Sequence, residues 1–153
     1  MRGGPFDSMK RIALLLLLTL PLLAADKPEA TIKYRSLVMK AMGAHMNAMS
    51  MVVKKQVSDR SRLAVDAEAL HGLATGLGTL FPSGTGPDVA RTAARPDVWQ
   101  HRAEFDAASK RLEGESARLL QLARGKDAAA FDKQFEAVNA ACNECHQQFR
   151  VRD

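Results

Sequence analysis

From Asp26 onward, apolar residues recur at steps of three and four, the repeat of one face of an α-helix. No stretch alternates with the period of two expected of a half-buried strand. The pattern predicts four helices. The first runs from Lys27 to Val57, with Ile32, Met39, Met42, Met46, Met49 and Val53 as its apolar stripe. After Met39 the steps are 3, 4, 3 and 4, a heptad-like seam, and Arg35 falls on the same stripe. Asp26 and Glu29 have capping-box spacing, with Asp in place of the usual Ser or Thr. The second helix, Arg60 to Thr79, turns Leu63, Ala67, Leu70, Leu73, Ala74 and Leu77 inward. Gly72, Gly76 and Gly78 each weaken it by roughly 1 kcal/mol relative to Ala, which predicts a frayed end or close packing.

The third helix begins at Pro96, whose ring suits a first turn, and ends at Gly125 as a C-terminal cap. It carries Val98, Phe105, Ala108, Leu112, Leu119 and Leu122 inward. The fourth is opened by Asp127 as N-cap and has the cleanest stripe. Phe131, Phe135, Val138, Cys142, Cys145 and Phe149 follow at steps of 4, 3, 4, 3 and 4. Gly and Pro cluster only between Phe81 and Pro96, which marks one longer connection from about Leu80 to Arg95. The predicted fold is all-α: an antiparallel four-helix bundle, an architecture that builds cofactor sites in its core. Both cysteines lie on the inward seam, so a group attached to them hangs inside the bundle.

The start of the chain reads differently. Met9-Lys10-Arg11 is basic, Ile12 to Leu23 is apolar but for Thr19 and Pro21, and Ala24-Ala25 precede the polar Asp26-Lys27. That is the layout of a secretory signal peptide over residues 1–25, with a retained membrane anchor as the alternative. The apolar run falls short of the roughly 20 residues that span a bilayer. Met9 is a candidate translation start. Cleavage leaves Asp26 to Asp153, about 128 residues, enough for one compact core. Arg2, Lys10 and Arg11 leave against Asp7, so the formal charge of +5 becomes +3. No basic stripe interleaved with aromatics supports a nucleic-acid partner, and no paired carboxylates suggest a hydrolase, so the chain does not read as an enzyme.

Cys142-Asn143-Glu144-Cys145-His146 matches the attachment motif of a c-type haem. Cysteines three apart share a helix face, so each sulfur can add to one vinyl group of the same haem. The adjacent His146 supplies a neutral imidazole, a common axial ligand of haem iron. A zinc site needs about four ligands and finds three here. A thioredoxin-type pair needs a βαβ setting. A structural disulfide leaves His146 without a purpose. The expected cofactor is one haem c, held by two thioether bonds.

At this point the chain resembles the class II c-type cytochromes, the cytochrome c-prime superfamily. The likeness rests on Lys33-Tyr34-Arg35-Ser36-Leu37-Val38-Met39-Lys40, on Ala94-Arg95-Pro96-Asp97-Val98-Trp99, and on Cys142 to His146 followed by Gln147-Gln148-Phe149-Arg150. The family places an Arg four residues after the ligand His, which Arg150 matches. Phe149 stands where many members have Tyr. The resemblance implies that Arg35 approaches a haem propionate and that Met39 lies on the distal side of the iron. Two residues four apart on a helix differ by about 6 Å in rise, which allows both roles.

The resemblance is strongest to the low-spin cytochrome c-556 branch. It therefore implies a periplasmic electron carrier with His146 and Met39 as axial ligands and with redox proteins as partners. Met42 is the next candidate ligand and His45 a rival. The alternative is a five-coordinate, high-spin member that binds nitric oxide or carbon monoxide; a sensing or storage role is a third reading. Once the signal is removed no membrane partner is expected. Relatives include monomers and homodimers built through the first two helices, and Leu37, Val38 and Val52 lean towards the dimer. Trp99 is expected in the core or at the haem edge, and Tyr34 near the seam between the first two helices.

Overall fold

The computed structural model describes residues 26–151, so the predicted signal peptide lies outside the described residues. Five helices form: α1 (Pro28–Val53), α2 (Leu63–Ala74), the short α3 (Asp97–Gln100), α4 (Arg102–Ala123) and α5 (Ala128–Phe149). Among the described residues there is no strand, only an isolated antiparallel bridge between Ala94 and Arg150. α1, α2, α4 and α5 make the four-helix bundle.

Each boundary has a local cause. α1 is capped by Lys27 without a side-chain bond, so the expected Asp26 cap does not form. The helix stops at Val53 rather than Val57 because Lys55 turns left-handed at φ 59°, and the amides of Gln56 and Val57 fold back to the Met51 carbonyl. α2 is shorter than its periodicity suggests. Thr75 is extended and Gly76 is left-handed at φ 66°, a conformation cheap only for glycine, so Leu77–Leu80 continues as a separate 3₁₀ turn. Gly78 permits close packing: a Cβ there would lie 2.9 Å from an Asp106 carboxylate oxygen. The third predicted helix is divided at His101 (φ −115°, ψ 51°) into α3 and α4. Asp127 caps α5 as expected, its carboxylate accepting the Ala130 N–H at 2.9 Å.

The seams bury as the pattern requires. One core cluster joins Met42 and Met49 of α1, Leu63, Ala67, Leu70 and Ala74 of α2, Leu112 and Leu119 of α4, and Phe131, Phe135 and Val138 of α5. A second, at the end that carries the connection, stacks Phe81, Val98, Phe105 and Phe149. Its rings meet edge to face, Phe81 to Phe105 at 4.7 Å and Phe105 to Phe149 at 5.2 Å between centroids. Close backbone packing runs from α1 to α2, α2 to α4 and α4 to α5. No comparable backbone contact joins α5 back to α1, so these two helices stand wider apart than the other neighbouring pairs, although Met42 and Met49 share a cluster with Phe131, Phe135 and Val138, and theirs is the open side of the bundle.

Candidate haem-binding site

The open side is flanked by the helices that carry the sequence candidates. On α5, Cys142 and Cys145 are free thiols, each half-buried. Cys142 packs against the first core cluster and Cys145 against the second, and Met39 of α1 touches both clusters. Cys145 also borders an open groove of about 250 Å³ between α4 and α5, which explains why its burial is partial. Burial pushes the Cys142 thiol up. Burial, and then the neighbouring Cys142, push Cys145 up to about 11. Both thiols are thus held neutral against apolar walls, without the electropositive neighbours that make a reactive thiolate.

His146 follows in the last turn of α5, exposed on its outer side, and its carbonyl accepts the Arg150 N–H at 3.2 Å. Loss of solvation, and then the Arg150 cation, lower its pKa, which keeps the imidazole neutral at pH 7 and its lone pair available. Arg150 is exposed, and its backbone forms the bridge to Ala94.

Arg35 is buried at 2% exposure. Its Nη1 donates to Thr85 Oγ1 at 2.8 Å, and its Nη2 to the Thr85 carbonyl at 2.7 Å and to Thr92 Oγ1 at 3.0 Å. The guanidinium lies over Phe81 and Trp99, 4.8 and 5.4 Å from the ring centroids. Among the described residues no carboxylate pairs with it. Sequence reasoning gave no hint of Thr85, Thr92 or Phe81 as partners, because the connection they sit on has no period. Trp99 is half-buried and donates through Nε1 to the Pro82 carbonyl at 3.0 Å, which agrees with packing at this end of the bundle.

Other candidates separate. Met42 is buried in the first cluster. His45 is half-buried, with Nδ1 2.9 Å from Asp66 of α2, a partner that occupies it away from the open side. Tyr34 is 60% exposed, so it does not pack in the seam between α1 and α2. Val38 and Val52 pack on the core instead of forming an outer face. The large exposed apolar residues of α1 are Tyr34, Leu37 and Met51, with Ala44 and Ala48 exposed between them.

The residues fit a covalently held haem. Two neutral thiols one turn apart, a neutral imidazole beside them, an apolar seam with an open side and a buried cation lacking an anion are the parts such a group needs. Among the described residues no group of three or more His, Cys, Asp and Glu side chains forms a metal-holding cluster, so the donor set of a zinc site is not assembled.

The family described as Cytochrome C' matches residues 30–150. A cytochrome c' of Pararhodospirillum photometricum is 36% identical, covering 80% of this chain and 98% of its own. One from Rhodospirillum rubrum is 30% identical over 94% and 99%. A cytochrome c-556 of Agrobacterium tumefaciens matches at 26% over 79% and 97%. The likeness is thus stronger to proteins named cytochrome c' than to the c-556 branch, which corrects the closer affinity expected from the sequence. Among solved structures, the nitric oxide complex of a mutant cytochrome c prime from Alcaligenes xylosoxidans superposes with a TM-score of 0.76. It is 28% identical and covers 84% of this chain and 99% of its own.

Proposed function

Because this chain belongs to the cytochrome c' family and carries one covalently bound haem c, we propose that it binds a diatomic gas such as nitric oxide or carbon monoxide at a five-coordinate iron. The pattern of likeness carries this reading: relatives named cytochrome c' outrank those named c-556, and the similar solved structures include nitric oxide and carbon monoxide complexes. When bound, the haem supplies an iron with one open coordination position and a one-electron couple.

The chain's own residues do the rest. Cys142 and Cys145 anchor the group through thioethers and fix it to the inner face of α5. His146 offers a neutral nitrogen as the protein ligand. Met39 lines the opposite wall from α1, an apolar and polarisable side chain that excludes water and leaves room for a small gas. Arg35 and Arg150 offer cations to the propionates. The protein acts as a binder or carrier and not as an enzyme. A periplasmic address follows from the predicted signal. Among the described residues no helix is long and apolar enough to cross a membrane. A second copy of the chain is the occupant that best suits the exposed apolar face of α1.

One observation favours a second reading. Met39 touches both clusters that pack against the cysteines, a placement from which its sulfur could serve as sixth ligand of a low-spin electron carrier. Such a Met/His pair raises the reduction potential, and docking to redox partner proteins would use a small, weak interface. The absorption spectrum of the reduced protein decides between the two. A broad high-spin spectrum that shifts on adding carbon monoxide, unchanged in kind by Met39→Leu, supports gas binding. A sharp low-spin α band indifferent to carbon monoxide, lost in Met39→Leu, rejects it.

A further inference from the structure

Hydrogen bonds and the short backbone segment between them join the end of α5 to α1 through the connection. The path starts just after His146. The Phe149 carbonyl accepts the Arg95 N–H at 2.9 Å, and the Val151 N–H donates to the Ala93 carbonyl at 2.8 Å. These two bonds make the bridge that ties the end of α5 to the connection. The Ala94 N–H then donates to Thr92 Oγ1 at 3.2 Å. The same hydroxyl oxygen accepts Arg35 Nη2 at 3.0 Å. Arg35 lies one turn before Met39 on α1. Thr85, the other partner of Arg35, leads through a bond from Oγ1 to the Pro82 carbonyl at 2.7 Å, which also accepts Trp99 Nε1 of α3 at 3.0 Å, and does not reach the bridge. Of the two threonines, Thr92 alone reaches both the bridge and α1.

From this we infer that Thr92 is a positioning residue, the pin of a strap that sets how far α1 stands from α5 and so how tightly Met39 closes over the gas position. The inference rests on the haem site and gas binding described above. Its physical basis is a count of acceptors. A hydroxyl oxygen has two lone pairs, and both are used here by donors from different segments. Valine matches threonine in shape but offers no acceptor, so Thr92→Val removes the bond that joins α1 to the bridge, leaves the two bonds from Arg35 to Thr85, and keeps the volume nearly unchanged. Serine keeps the oxygen. Bistable packing of a helix against its neighbour can turn such a local release into altered access at a site several residues away.

The test uses the haem-loaded protein and its Thr92→Val and Thr92→Ser variants. Two measurements are made on each: the rate of carbon monoxide association to the reduced protein, and hydrogen exchange at the Ala94 and Val151 amides. Thr92→Val is expected to raise the association rate roughly tenfold and to speed exchange at both amides roughly tenfold, with Thr92→Ser close to the parent in both. Faster exchange with an unchanged association rate makes Thr92 a fastener of the connection only and overturns the positioning role. No change in either measurement overturns the strap itself. If the parent does not bind carbon monoxide and is low-spin, the gas-binding reading fails separately. The strap then predicts that Thr92→Val converts part of the iron to high spin, and a wholly low-spin Thr92→Val would refute it.

Discussion

Arg35→Leu removes a buried cation whose partners are all neutral, so its cost can be worked from what is left behind. The guanidinium makes three hydrogen bonds, to the Thr85 hydroxyl, the Thr85 carbonyl and the Thr92 hydroxyl. The two hydroxyls keep other partners, Thr85 Oγ1 through the Pro82 carbonyl and Thr92 Oγ1 through the Ala94 N–H. The Thr85 carbonyl loses its donor, and an orphaned buried acceptor costs about 1–3 kcal/mol. The contacts over Phe81 and Trp99 add about 0.5–1 kcal/mol each. Leucine fills part of the space and recovers the desolvation of the charge, the one contribution shown by the downward shift of the arginine pKa. The balance is a loss of about 3 kcal/mol, a fall in Tm of roughly 10 °C for a chain of this size. Urea unfolding followed by far-ultraviolet circular dichroism measures it; with the haem attached, a propionate beside Arg35 adds to the loss. Arg35→Lys keeps the charge but not the two-pronged geometry and should fall about halfway. A loss below about 1 kcal/mol for Arg35→Leu would refute the view that this guanidinium anchors the connection to α1.

Three further outcomes follow from the same structure. In the chain with free thiols, Cys145 keeps its proton up to about 11 when folded and loses it near 9.0 when unfolded, so stability is full below 9.0 and is lost as pH rises through about 11. The loss is at most about 2.7 kcal/mol, lessened by solvent at a half-buried thiol, and unfolding curves across that range check it; attachment of the haem abolishes the effect. Asp127→Ala removes the α5 cap and should lower stability by about 1 kcal/mol in denaturant titration, with little change in the spectrum of the reduced protein. Leu37→Glu places a charge on the exposed face of α1, and sedimentation should show a dimer becoming a monomer with unchanged haem absorption; a parent that is already monomeric refutes the dimer.

Much of this was legible because helix seams repeat. The steps of three and four placed Met42, Leu70, Leu119, Phe135 and Val138 in the core, and Asp127 announced its helix by a bond only three residues long. The haem motif was legible for the same reason: Cys142, Cys145 and His146 are neighbours in sequence as well as in space. What escaped was non-local or non-periodic. Arg35 meets Thr85 and Thr92 from 50 and 57 residues away, across a connection whose Gly and Pro residues erase any repeat. The division at His101 is a matter of one residue's dihedral angles, and the apolar pattern runs through it undisturbed. Val38 and Val52, which with Leu37 hinted at an apolar outer face, are partly buried against the core instead. His45 sits beside the methionines as a rival ligand but reads more readily as a boundary residue, and the fold bears out the second by setting Asp66 against it.

The open side of the bundle has a consequence for how the protein survives dilution. A cofactor held by contact alone stabilises its host only in proportion to its free concentration and departs when that concentration falls below its dissociation constant. With the haem joined to Cys142 and Cys145 as proposed, the group between α1 and α5 would be held by covalent bonds, so its local concentration would never fall, however sparse the protein becomes. On that proposal the seam between α1 and α5 would be covered from the moment of attachment onward. Heat or denaturant can open it, but simple loss of the cofactor to the surroundings cannot.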